Sequence, residues 1–104
     1  MTLTEFSDAL KAAIPASYQS AAPAGVRPCV VWSAYGSRTL DGDDRTQTAI
    51  PKVQLDILAA KFPDPIIDAV TDLLYGLELP YSDQGSIYDP DYGCFRTILQ
   101  TEVA

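Results

Sequence analysis

Arg27-Pro28-Cys29-Val30-Val31-Trp32-Ser33-Ala34-Tyr35 is the stretch on which the fold turns. Its β-branched and aromatic residues favour an extended, half-buried chain, and the proline stands at its start, where a strand tolerates a missing donor. We read it as the spine strand. A second run, Lys52 to Ala60, places Val53, Leu55 and Ile57 on one face and Gln54 and Asp56 on the other. That is the two-residue period of a strand with one side in the core, so the two runs are expected to pair.

Upstream of the spine, Thr2 and Glu5 have the spacing of a capping box, and Leu3, Phe6, Leu10, Ala13 and Ile14 recur at helical intervals. A first helix is expected from about Leu3 to Ile14, stopped by Pro15. The Ala-, Ser- and Pro-rich segment from Ala16 to Gly25 then reads as an irregular connection. Downstream, Gly36 to Gln47 is polar, glycine-marked and too long for a tight turn, and we read it as a long hairpin loop. Such loops are either mobile solvated tips or places of partner contact.

The return strand covers Thr48 to Ala60, with Pro51 at a bulge or edge position. Asp64 and Pro65 supply an N-cap and a first helical residue, and Ile66, Ile67, Val70, Leu73, Leu74 and Leu77 form one apolar stripe. Asp68, Thr71, Asp72 and Tyr75 fall on the opposite face, and Gly76 marks the end. Ser86-Ile87-Tyr88 reads as a short strand, Asp89 to Gly93 as a turn, and Cys94 to Val103 as the closing strand. The sum is a single α+β domain over residues 1–104. It has a small, mainly antiparallel sheet of about four strands, with two helices packed on one face and the long hairpin loop between its first two strands.

Fourteen acidic residues against seven basic ones give a net charge of −7, which disfavours sequence-specific nucleic-acid binding and docking on anionic lipid. No apolar run approaches the length of a membrane helix, and Met1 to Glu5 lacks the basic and apolar regions of a secretory signal. Synthesis and residence in the cytoplasm are therefore expected. Cys29 and Cys94 lack Cys-x-x-Cys spacing and are expected as buried apolar groups. If their strands are neighbours, a bridge between them is geometrically open.

The chain has no histidine, which removes a His-based triad, a His-ligated zinc and imidazole acid–base chemistry. Asp41-x-Asp43-x-Arg45 begins like a calcium loop, but Arg45 and Thr46 replace a ligand and the glycine, and Lys52 stands where the bidentate glutamate belongs. There is no nucleophile elbow, phosphate-binding glycine loop or dinucleotide fingerprint. The chain is expected to be no enzyme, with neither cofactor nor metal. Trp32 and Tyr35 fall on opposite faces of the spine strand, so strict alternation lets only one face the helices. The other is either an interface anchor or packs on the terminal helix or a loop.

Pro28-x-Val30-Val31-Trp32 as first strand, Val53-Gln54-Leu55-Asp56-Ile57 as return strand, the amphipathic second helix and an Arg96-centred last strand resemble the small tail-completion proteins of long-tailed phages and prophages. These are the tail-terminator or head-to-tail joining family, and the likeness in element order spans residues 3–103. Cys29 occupies a position that is often aromatic in such proteins, and the hairpin loop has its own acidic sequence.

What the resemblance implies is a structural virion protein. It would bind the head-proximal end of the tail tube as a ring, typically a hexamer, end tube growth and present a surface to the head connector. The implied partners are further copies of itself, the major tail tube protein and a head-completion protein, met in the host cytoplasm during assembly. The loop residues Arg38, Asp41, Asp43, Asp44 and Arg45 are the expected contact set, becoming ordered on assembly, and Trp32 or Tyr35 is the expected anchor. Two other classes stay in view. One is an acidic binding or inhibitor module that mimics DNA against a basic site; the other is a small carboxylate enzyme.

Overall fold

The computed structural model describes residues 1–41 and 47–103. The elements run α1 (Leu3–Ala13), β1 (Ser17–Gln19), β2 (Cys29–Asp41), β3 (Gln47–Ala59), α2 (Pro65–Gly76), β4 (Tyr81–Asp89) and β5 (Cys94–Glu102). The strands form one mixed sheet in the order β1-β2-β3-β5-β4. β1 runs parallel to β2, and every other neighbouring pair is antiparallel.

Both helices start where local chemistry satisfies their first donors. Thr2 Oγ1 accepts from the Glu5 amide at 3.1 Å while the Glu5 carboxylate accepts from the Thr2 amide at 3.0 Å, the reciprocal capping box read from the sequence. Those hydrogen bonds with Thr2 hold the Glu5 carboxyl below its ordinary value. Asp64 Oδ1 accepts from the Ile66 amide at 2.9 Å, with Pro65 opening α2. α2 ends at Gly76, but the left-handed residue that follows is Glu78, with φ 58°.

The two helices share one face of the sheet, as expected. Val30 and Trp32 of β2, Val53, Leu55 and Ile57 of β3 and Leu99 of β5 meet Phe6 and Leu10 of α1 and Val70 and Leu74 of α2 in one buried cluster. Phe6 and Trp32 pack edge to face, with ring centroids 5.7 Å apart. A second, smaller cluster lies around Cys29, Leu58 and Cys94, with Ala22 and Val26 of the β1–β2 connection packed against it.

Three departures from the sequence reading have physical causes. First, the sheet has five strands: Ser17–Gln19, inside the segment read as irregular, pairs with Val30, Val31 and Trp32. Second, the expected long loop is largely strand. β2 and β3 stay in register from Gly36 facing Lys52 to Asp41 facing Gln47, a two-stranded arm that projects past the end of β5. Third, β4 extends from Tyr81 to Asp89, well beyond Ser86–Tyr88. The arm accounts for an elongated shape of 49 × 25 × 22 Å, with a radius of gyration of 14.6 Å. A compact chain of this length has about 13 Å.

Phe6 is fully buried and its ring touches the chain's single tryptophan. Phe6→Ala is expected to cost about 3–5 kcal/mol, because the cavity lies between a helix and a sheet that cannot both close on it. Denaturant unfolding followed by Trp32 fluorescence reads the loss directly.

Candidate interaction surface

Trp32 and Tyr35 separate as alternation requires, with a complication. Trp32 is in the core, only 4% exposed, while Tyr35 is 50% exposed. Ala34 faces Val53 and Gly36 faces Lys52, so Tyr35 is the extra residue of a β-bulge. Tyr35 is exposed at this bulge, at the base of the arm. Of the two candidate anchors, Tyr35 is the one on the surface.

Arg38 sits in the arm ladder opposite Ile50, and its Nε donates to Glu102 Oε2 at 2.7 Å. Both side chains are exposed, so this pair contributes at most about 1 kcal/mol. Asp41 ends β2. Asp43, Asp44 and Arg45 lie outside the described residues. Tyr35, Arg38, Lys52, Tyr81, Gln100 and Glu102 border an open cavity of about 510 Å³ between the arm and the start of β4. Beside it, Tyr75 at the end of α2 is 86% exposed. The concentration of exposed tyrosine is typical of protein contact surfaces.

The sheet face away from the helices carries a connected polar row. Gln100 Nε2 donates to Gln54 Oε1, and Gln54 Nε2 donates to Asp56 Oδ1. Arg96 reaches Asp56 Oδ2 at 3.0 Å and Asp89 Oδ2 at 3.5 Å, with its guanidinium 5.9 Å from the centre of the Tyr92 ring. The row ties β3, β5 and β4 together across the ladders. Arg96 Nε is buried without a hydrogen-bond partner. Asp56 and Asp89 accept from one shared guanidinium, the arrangement of a brace; a carboxylate pair for acid–base work would need environments that push the two groups apart.

Arg27 is the residue that sequence reasoning missed. Its Nε donates to Cys94 Sγ at 3.2 Å, and its Nη1 lies 4.0 Å from Cys29 Sγ. Both thiols are free and buried. Cys29 faces Leu58 across one ladder and Leu58 faces Arg96 across the next, so β3 separates the cysteine strands. Two ladder spacings of about 4.8 Å exceed the reach of a disulfide. Among the described residues, no group of three or more Cys, Asp and Glu side chains is placed to hold a metal ion. No helix among them is long and apolar enough to cross a membrane.

No protein-family model matches the chain, and no curated protein matches it.

Arg96 was visible in sequence as a cation inside a β-rich run, a placement that requires a partner; Asp56, on the outward face of the return strand, was the available one. Arg96→Ala removes the brace and leaves two half-buried carboxylates facing each other, with an expected loss of about 1–3 kcal/mol in a denaturant titration. A second expectation concerns pH. Burial pushes the Cys29 thiol above its ordinary value of 9.0. Its contribution to stability is therefore fully present below that value and is lost as pH rises through the raised folded value, because the unfolded chain gives up the proton first. Thermal melts at increasing alkaline pH are expected to show this fall, and Cys29→Ala to flatten it.

Proposed function

We propose that this chain is a structural subunit of a phage or prophage tail-completion ring, which binds the head-proximal end of the tail tube, ends its polymerisation and joins it to the head connector. The observation that carries the reading is the two-stranded arm. Arg38 and Thr39 on β2 and Ala49 on β3 are exposed, and the ribbon projects from the sheet, although an isolated hairpin is marginally stable in water. Such an arm gains its stability by lying against another surface, and a ring supplies one at each subunit boundary through heterologous contacts.

The rest of the surface is compatible with that role. The net charge of −7 suits a lumen past which DNA slides without sticking. The Arg96 brace and the free thiols are structural, and the bordering tyrosines suit protein contact. In this reading the ring is a hexamer whose other partners are the major tail tube protein and a head-completion protein. It assembles in the host cytoplasm and ends in the virion. Neither cofactor nor catalysis is involved.

One observation favours an inhibitor module as the second reading. Asp68 and Asp72 lie one turn apart on α2, about 6 Å, with Asp64 capping the start of the helix, a grouping of negative charge of the kind a DNA mimic presents.

Silencing the gene in its parent phage or prophage and imaging the particles separates the two. Full heads beside detached tails of irregular length are the expected outcome. Normal infectious particles would remove the chain from the virion pathway, and recovery of a nucleic-acid enzyme bound to the tagged chain would then establish the second reading.

A further inference from the structure

A cleft of about 310 Å³ lies between the start of α2 and β4, on the helix side of the sheet. Phe62 and Ile67 give it apolar walls, Asp64, Asp68 and Asp83 stand around it, and Thr97 reaches it from β5. Thr97 is only 3% exposed, and its Oγ1 shares a 2.7 Å hydrogen bond with Ser86 Oγ. That bond uses one lone pair of the two hydroxyls, so the pair can still accept from a donor that enters the cleft.

These carboxylates have no cation of their own. Residues 62–95 contain neither lysine nor arginine. The ion pairs among the described residues engage Asp56, Asp89 and Glu102 and none of the three around the cleft. Asp64 and Asp83 accept only from backbone amides, of Ile66 and Gly85, and the Asp68 carboxylate accepts no hydrogen bond among the described residues. Lys61, just before the cleft, forms no ion pair among them, and Arg96 is committed to Asp56 and Asp89.

The strand beside the cleft is an open edge. β4 pairs only with β5, its residues from Tyr81 to Tyr88 are exposed, and it contains neither the lysine nor the proline that commonly blunts an edge. The direction of its groups follows from Pro51, whose carbonyl accepts from the Val103 amide. Every second pair of the β3–β5 ladder is therefore bonded, Ile57 with Thr97 and Ala59 with Phe95 among them. Thr97 and Phe95 aim their backbone groups at β3, so their β4 partners Ser86 and Tyr88 aim theirs at the free edge. The Ser86 and Tyr88 side chains meet those of Thr97 and Phe95, on the face of the cleft.

We infer that the β4 edge takes up an extended segment of another protein as an added antiparallel strand, one that carries lysine or arginine at alternate positions. The open backbone selects a strand, and the cleft selects its charge. Residues of the added strand bonded to Ser86 and Tyr88 are two apart and project on the face those side chains share. A long cationic stem opposite Ser86 lies over the edge with its head among Asp64, Asp68 and Asp83, and one opposite Tyr88 packs its stem on the Tyr88, Phe95 and Phe62 rings. A second copy is not the occupant, because Lys11, Arg27, Arg38, Arg45, Lys52, Lys61 and Arg96 nowhere stand two residues apart. The inference does not rest on the ring reading, since the contact is with a different protein.

The probe is a capped peptide in which lysine alternates with threonine, titrated into the full chain and followed by amide NMR shifts. Saturable binding is expected, with the largest shifts at Ser86 and Tyr88. The same peptide N-methylated at its lysines keeps the charge but cannot form the ladder, and is expected not to bind. Asp68→Asn and Asp83→Asn are each expected to weaken binding about threefold, and together about tenfold. Asp72→Asn makes the same charge change on α2 outside the cleft and is expected to leave affinity unchanged. Unfolding followed by Trp32 fluorescence is expected to match wild type in all of them. No binding by wild type, equal binding of the N-methylated peptide, or an Asp72→Asn loss as large as that of the cleft variants would each overturn the inference. Gene silencing tests the ring reading separately, and normal particles there would leave this titration unchanged.

Discussion

The two-residue period of β3 is the constraint on which the rest of the molecule depends. β3 is the central strand, paired with β2 on one side and β5 on the other, so both neighbours take their register from it. Val53, Leu55 and Ile57 set the helix-facing side, and Gln54 and Asp56 set the other. A slip of one residue would move all five to the wrong face. With the slip excluded, Val30, Trp32 and Leu99 fall opposite the helices, and Asp56 falls where Arg96 reaches it.

That same constraint explains why the outward face is polar but not loose. β3 places Asp56 and Gln54 side by side, and hydrogen bonds from Arg96 and Gln100 on β5 turn them into a row running across the ladders. Asp89, close to the β4–β5 turn, completes the grip on Arg96. The edge strand β4, whose side chains bury little, is thus held by a charged brace as well as by its ladder to β5. Beside this row, Arg27 reaches across to both cysteine strands from the β1–β2 connection. Apolar burial against the helices holds one side of the sheet, and on the other the small cluster around Cys29, Leu58 and Cys94 is joined by cationic side chains that span several strands.

Legibility in the sequence followed burial. The spine strand, β3, both helix starts and the stripe of α2 each have one face in the core, so hydrophobic periodicity reports them. β1 is three residues, Ser-Tyr-Gln, and exists only because β2 offers it a parallel edge; no local preference encodes that. β4 is exposed along nearly its whole length, so alternation has nothing to record, and only Ser86–Tyr88 carried enough β propensity to be noticed. The arm was read as a loop for a related reason: Gly36, Ser37, Arg38 and Thr39 are all exposed, and a glycine followed by polar residues resembles a turn. The surface candidates were legible in part. Alternation separated Trp32 from Tyr35, and the packing of Trp32 on Phe6 decides which of the two is outside; the bulge at Tyr35 is a tertiary event that left no local signal. Arg27 gave no signal, since its role depends on two cysteines that meet only in the folded sheet.

The features hardest to read share a property that bears on what the molecule does. A chain can leave a long strand exposed on both faces only if its backbone is satisfied elsewhere, because a two-stranded ribbon buries too little apolar surface to offset the entropy of ordering it. β4 is such a strand: its side chains from Tyr81 to Tyr88 are exposed, and it is held by its ladder to β5 and by the grip of Arg96 on Asp89. The arm sets exposed Arg38 and Thr39 on β2 beside a buried Ile50 on β3, and Arg38 is tied back to Glu102 at the end of β5. Weak periodicity in both places has one cause: these strands are ordered by ladders and ion pairs with neighbouring strands, and neither has the continuous buried face that periodicity reports.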